Sequence, residues 1–106
     1  MDVDEYVRVF NVAVRDGIWS PVVDRFGDDA VLEFVGPPVG PFVGKLAIAA
    51  AYDANPPDDE IELAGPGRIN GDTLGVPFRW CSSGAGGMMR FTERFGLIEH
   101  LVVAFD

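Results

Sequence analysis

Residues 69–81 read INGDTLGVPFRWC, and they decide the second half of the fold. Asn70-Gly71 is a strong short-range hairpin signal, because a type I′ turn needs positive φ at both central positions. The turn predicts one strand near 60–69 and another near 72–81. In the second strand Leu74, Val76, Phe78 and Trp80 alternate with Gly75, Pro77, Arg79 and Cys81, the period-two pattern of a strand with one buried face. Gly84 to Gly87 makes the next turn, Phe95-Gly96 the one after, and a last strand runs from Leu97 onward. Tight turns cannot join parallel strands, so these strands form an antiparallel meander.

The first half is helical. Val3, Tyr6, Val7, Phe10, Ala13 and Val14 recur at helical spacing, with Asp4, Glu5, Arg8, Asn11 and Arg15 on other faces, and Asp16-Gly17 ends the helix. Ser20-Pro21 supplies an N-cap and first-turn proline for a short second helix through Val22, Val23 and Phe26, which Gly27-Asp28 stops. Ala30 to Val43, rich in Val, Phe, Gly and Pro, reads as two short strands around Gly36-Pro37-Pro38. Lys45 to Asp53 is an alanine-rich helix that Pro56-Pro57 keeps from continuing. Helices early and a curved meander late predict an α+β domain: a cone-shaped, strongly curved antiparallel sheet packed against three N-terminal helices. Such a cone has a mouth, where pockets form.

Composition narrows the function. The 106 residues suit a single domain over 1–106. Seventeen acidic against eight basic residues give a net charge of −9, which repels phosphate backbones and anionic membranes, so neither nucleic acid nor membrane is an expected partner. No apolar run reaches the length of a membrane span, and an acidic start in place of a basic signal sequence suggests a cytoplasmic protein. Cys81 is the only cysteine and His100 the only histidine. Neither a Cys-based metal site nor any cofactor or metal motif is expected, since Asp58-Asp59-Glu60 lacks an EF-hand spacing and the GAGG of 84–87 has no helix to open. A Cys81/His100 nucleophile pair is weighed against burial of both in a subunit interface on the outer sheet face, and alternation favours the latter.

Three stretches in order, FGDDAVLEFVG (26–36), VGKLAIAAAY (43–52) and GLIEHLVVAF (96–105), give the chain a further reading. It resembles the nuclear transport factor 2-like superfamily, which includes the ketosteroid isomerases and SnoaL-like polyketide cyclases. The resemblance implies an α+β cone with a deep apolar pocket, and commonly a homodimer through the outer sheet face. It leaves the chemistry open, because function lives in the site.

Ketosteroid isomerases use a carboxylate base and an oxyanion hole made of a tyrosine and a protonated aspartic acid. Laid over the family's motif, DAVLEF puts Glu33 on a glutamate and Phe34 on the base. Alternation turns Leu32 and Phe34 toward the pocket, and Val31, Glu33 and Val35 away. The oxyanion tyrosine falls at Val9 or Phe10, with Tyr6 a turn too early, and the acid falls near Met89, with Met88 the alternative. Steroid isomerase chemistry is therefore not expected.

The pocket lining implied by alternation and resemblance is mostly apolar. The first part contributes Phe10, Trp19, Leu32, Phe34 and Tyr52. The strands contribute Val76, Phe78, Trp80, Met89, Phe91, Leu101, Val103 and Phe105. The alternative is that these side chains simply fill a small core. Tyr52 matches the family tyrosine that supports the oxyanion tyrosine, and Trp19 is expected to rim the mouth. Glu93 and Glu99 are weak catalytic candidates, each sharing a face with inward residues. The expected function is binding of a small hydrophobic ligand. The alternative is a cofactor-independent isomerase, cyclase or hydrolase using Tyr52 with Glu93 or Glu99. Val31, Val35, Ile98, Val102 and Ala104 are expected to form an apolar outer face that a second copy covers.

Overall fold

A computed structural model describes residues 2–106. The elements run α1 (Val3–Asp16), α2 (Ser20–Val23), β1 (Phe26–Val35), β2 (Phe42–Val43), α3 (Lys45–Ala54), β3 (Ile61–Leu63), β4 (Arg68–Asn70), β5 (Thr73–Trp80), β6 (Gly86–Arg94) and β7 (Leu97–Phe105). This is the predicted α+β architecture, three helices in the first half of the chain and one long sheet, with β1 and β2 of that sheet preceding α3.

Helix α1 forms where its sequence says. The Asp2 carboxylate accepts from the Glu5 amide at 3.1 Å, and Asp4 and Glu5 complement the positive end of the helix dipole. Gly17 closes the helix at φ 76°, donating to the Ala13 carbonyl at 2.8 Å. The buried stripe is Tyr6, Phe10 and Ala13, three of the positions expected at helical spacing, together with Val9.

The second helix is shorter than expected. It stops at Val23, and Phe26 instead opens β1, where it is fully buried beside Ile98. Pairing with β7 captures this segment: the Ile98 amide donates to the Arg25 carbonyl at 2.8 Å. Arg25 is also tied to Glu5 of α1, Nη2 to Oε1 at 2.7 Å, which fixes the corner where helix gives way to strand.

The main sheet path is β2-β1-β7-β6-β5-β3, with β4 also paired to β5. Strands β5, β6 and β7 make the expected antiparallel meander, but β1 joins β7 in parallel, so the sheet as a whole is mixed. A long connection through α3 and the meander separates β1 from β7, which is what a parallel pair requires.

Three irregularities interrupt the sheet, one of them in β1, where Phe26 pairs with Ile98 but Val31 pairs with His100. The strand expected over 60–69 breaks in two, since residues 64–67 (AGPG) lie opposite only Val76 and Pro77 of β5. Pro66 cannot donate to a ladder, and the surplus residues loop out. The third irregularity lies between β6 and β7, where Thr92 pairs with His100 but Glu93 pairs with Ile98, leaving Glu99 as an extra residue. That bulge reverses the alternation below it. Ile98, expected on the outer face, is 2% exposed in the core. The apolar outer face therefore comprises Val31, Val35, Val102 and Ala104 without it.

Candidate active site and ligand cavity

The cone holds an inner cavity of about 50 Å³, open on one side. Helix α1 contributes Tyr6 and Phe10, one turn apart and so on one face. Strand β1 supplies Phe34, α3 supplies Tyr52, and the meander supplies Phe78, Trp80, Met89, Val103 and Phe105. Pro57 and Ile61 complete the wall.

Outside it lies a mouth of about 270 Å³, lined by Leu32, Phe34, Val39, Phe42, Ala51, Tyr52, Asn55 and Pro57. Phe34, Tyr52 and Pro57 belong to both spaces and so divide them. The inner volume falls well short of the roughly 300–1,000 Å³ typical of ligand pockets, because aromatic rings occupy the cone. Phe34 meets Phe42 edge-on and Phe105 face-on, both at 6.3 Å, and Trp80 stacks on Phe105 at 6.2 Å.

Leu32, Val76, Phe91 and Leu101, expected in the pocket, are packed core residues outside the inner wall, although Leu32 reaches the mouth. Trp19 does not rim the mouth. It is 6% exposed, stacked on Tyr52 with centroids 4.7 Å apart and edge-on to Phe10 at 5.3 Å. Its indole ring is a buttress behind the wall. Both Val9 and Phe10 are buried, but only Phe10 lines the cavity.

Tyr6, Pro57 and Ile61 line the wall beyond the residues expected there. Tyr6 is legible in the sequence as the residue one turn before Phe10. Ile61 is not, since it is placed by Asn11, whose side chain donates to the Ile61 carbonyl at 2.8 Å and accepts from its amide at 2.9 Å. No local pattern announces a contact of fifty residues' separation.

Tyr6 and Tyr52 are the polar centre of the cavity. Burial pushes the Tyr52 phenol up to about 12, offset in part by a hydrogen bond from Tyr6. Burial also holds the Tyr6 phenol well above its usual range, and the charge that Tyr52 would carry and the hydrogen bond with it add to the rise. Both phenols thus stay protonated at neutral pH and act as hydrogen-bond donors.

The two carboxylate candidates lie elsewhere. Glu99 sits in the bulge, exposed, with its carboxylate 3.5 Å from Arg94. The expectation that it shares a face with Leu101 fails because the extra residue shifts the register. Glu93 is exposed on β6 and absent from the inner wall. Glu33 points outward as the alternation predicts, its Oε1 3.0 Å from His100 Nε2. His100 thus engages Glu33, while Cys81 stands exposed with its thiol pushed up by desolvation and by Glu62, Asp59 and Glu60, contrary to what a nucleophile needs. Arg79 turns outward to Glu62 at 3.1 Å. Among the described residues no cluster of His, Cys, Asp and Glu could hold a metal ion. No helix among them is long and apolar enough to cross a membrane.

With this geometry in view, solved structures supply the comparison. A SnoaL-like family protein from Agrobacterium tumefaciens strain C58 superposes with a TM-score of 0.72 at 19% identity, over 96% of this chain and 95% of that one. The fold is that of the nuclear transport factor 2-like superfamily. An NTF-2 like protein of unknown function from Burkholderia xenovorans LB400 gives a TM-score of 0.71 at 16% identity, covering 98% of this chain and 82% of that one. A Sinorhizobium meliloti protein proposed to be a polyketide cyclase gives 0.66 at 22%, covering 97% and 98%. No protein-family model and no curated protein sequence matches the chain. The nuclear transport factor 2-like fold is thus recognised through its shape, and the site must be read from its own residues.

Proposed function

We propose that this protein binds a small, neutral, mainly apolar molecule carrying one hydrogen-bond acceptor, and does so without proton-transfer chemistry. The observation that carries this reading is the lining of the inner cavity: two protonated phenols in an apolar wall, with no carboxylate, imidazole or amine among the lining residues. A phenol with its pKa near 12 is a good donor and a poor base at neutral pH. The ligand enters from the mouth, displaces the Phe34 ring, and sets its acceptor against the Tyr6/Tyr52 pair.

Titration with cyclohexanone tests this, read by tryptophan fluorescence, since Trp80 lines the cavity and Trp19 stacks on Tyr52. Saturable binding, weakened several-fold by Tyr6→Phe or Tyr52→Phe, is the expected result. Absence of saturation, or variants that bind like the parent, rules the reading out.

The second reading is a cofactor-independent isomerase, cyclase or hydrolase, and what favours it is the proposed polyketide cyclase among the structural neighbours. Its mark is exchange of the α-protons of cyclohexanone in D2O faster than buffer. On the binding reading the protein adds nothing to the buffer rate.

We also propose self-association through the outer sheet face, where Val31, Val35, Val102 and Ala104 surround the Glu33–His100 pair. Val35 at 52% and Val43 at 65% exposure are large apolar groups left on that side of β1 and β2. A second copy meeting it by two-fold symmetry would bury them.

A further inference from the structure

The outer side of the sheet carries a groove of about 770 Å³, separate from the cavity and its mouth. Strand register puts Arg68 opposite Gly75 and Gly75 opposite Arg90, so the three form one cross-strand row. Directly opposed residues share a face, which places the two arginines on either side of a strand position with no side chain. Two strand spacings set their Cα atoms about 10 Å apart. Pro77 and Met88, the next pair along the same strands, form an apolar floor beside them.

These arginines differ from the others. Arg8, Arg15, Arg25, Arg79 and Arg94 each sit within 4.0 Å of a carboxylate. Arg68 and Arg90 have no such partner among the described residues, in a chain with seventeen acidic side chains to choose from. Two unpaired guanidinium groups facing one groove repel each other, and an anion between them turns that repulsion into attraction.

Gly75 is the second observation. An added Cβ there would meet only the Arg68 carbonyl at 3.9 Å and Met88 Sδ at 4.0 Å, ordinary contacts, and its backbone φ is one that any residue adopts. Glycine weakens a strand interior, and neither packing nor conformation requires one here. Its effect is to leave the strip between the two arginines bare.

We propose that this groove binds a small organic oxyanion, a carboxylate or a phosphate ester, whose charged end Arg68 and Arg90 share and whose body lies over Gly75 against Pro77 and Met88. Guanidinium forks suit planar oxyanions, and at physiological salt a Debye length of about 8 Å screens much of the chain's distant negative charge. The site is independent of the cavity reading, since the two spaces share no lining residue.

The test is an amide NMR titration of the full chain with benzoate and, separately, inorganic phosphate, with sodium chloride holding ionic strength constant. Saturable shifts centred on Arg68, Gly75 and Arg90 are expected with at least one probe, and the tighter one distinguishes carboxylate from phosphate. Binding weakens at least tenfold in R68Q/R90Q and in G75V, each checked for a folded spectrum. No saturation with either probe, or unchanged binding in both variants, overturns the proposal. So does an R68Q/R90Q variant that turns a dimer into a monomer while the parent binds neither probe, since the arginines would then serve a second copy's carboxylate.

Discussion

The rings of Trp19 and Tyr52 stack with centroids 4.7 Å apart and planes within 4° of each other. That contact joins the corner before α2 to the end of α3, and holds Tyr52 beside Tyr6 in the cavity wall. The chain has two tyrosines, so tyrosine ionisation reports on this pair alone.

Absorbance at 295 nm should therefore show no tyrosinate step near pH 10. The folded Tyr52 phenol, at about 12, lies above its unfolded value of 10.0, so its contribution to stability is complete below pH 10 and is lost as pH rises toward 12. The loss is roughly 2–3 kcal/mol, and ionisation is expected to coincide with unfolding followed by circular dichroism. A reversible step near pH 10 in folded protein contradicts the placement of both rings.

Phe34 separates the inner cavity from the mouth. Phe34→Ala is expected to cost about 2–3 kcal/mol in urea unfolding, below the range for a fully buried ring because Phe34 is half-buried. The same change joins the two spaces, so the variant should bind toluene more tightly than the parent does.

Asn11 pins β3 to α1 through both backbone groups of Ile61. Asn11→Ala leaves those two groups unpartnered and is expected to lower stability by about 2 kcal/mol. Hydrogen exchange should speed up at the Ile61 amide more than in the meander. Equal exchange at Ile61 in parent and variant would show that the tether is dispensable.

Gly87 and Gly75 should respond in opposite ways to alanine. At Gly87, paired with Phe78 and Phe105, a Cβ would overlap the Ala104 carbonyl and come within 2.7 and 2.9 Å of Phe78 ring carbons. Gly87→Ala should cost about 2–3 kcal/mol or prevent folding. Gly75→Ala meets no obstacle and should gain up to about 1 kcal/mol. Thermal melts of the two variants decide both.

Self-association rests on the outer face. At micromolar concentration the parent should sediment as a dimer and Val35→Glu as a monomer, since Val35 is exposed in that face and a charge there is desolvated on pairing. A monomeric parent removes the proposal.

The sequence by itself determined the elements and their order. Helical spacing from Val3 and the alternation of β5 are signals within one element, where a period suffices. The turn expected at Asn70-Gly71 lies one residue later: Asn70 pairs with Thr73, and of the two residues between them Gly71 has positive φ, at 66°, and Asp72 does not. The sequence also turned Glu33 away from the cavity, where the carboxylate meets His100. The tertiary structure alone decided where the alternation breaks, because a bulge is set by the partner strand: one extra residue sent Glu99 outward and Ile98 into the core. It alone closed the cone with aromatic rings and brought Tyr6 to Tyr52. It alone lined up Arg68, Gly75 and Arg90, since pairing across strands depends on register, and register belongs to the assembled sheet.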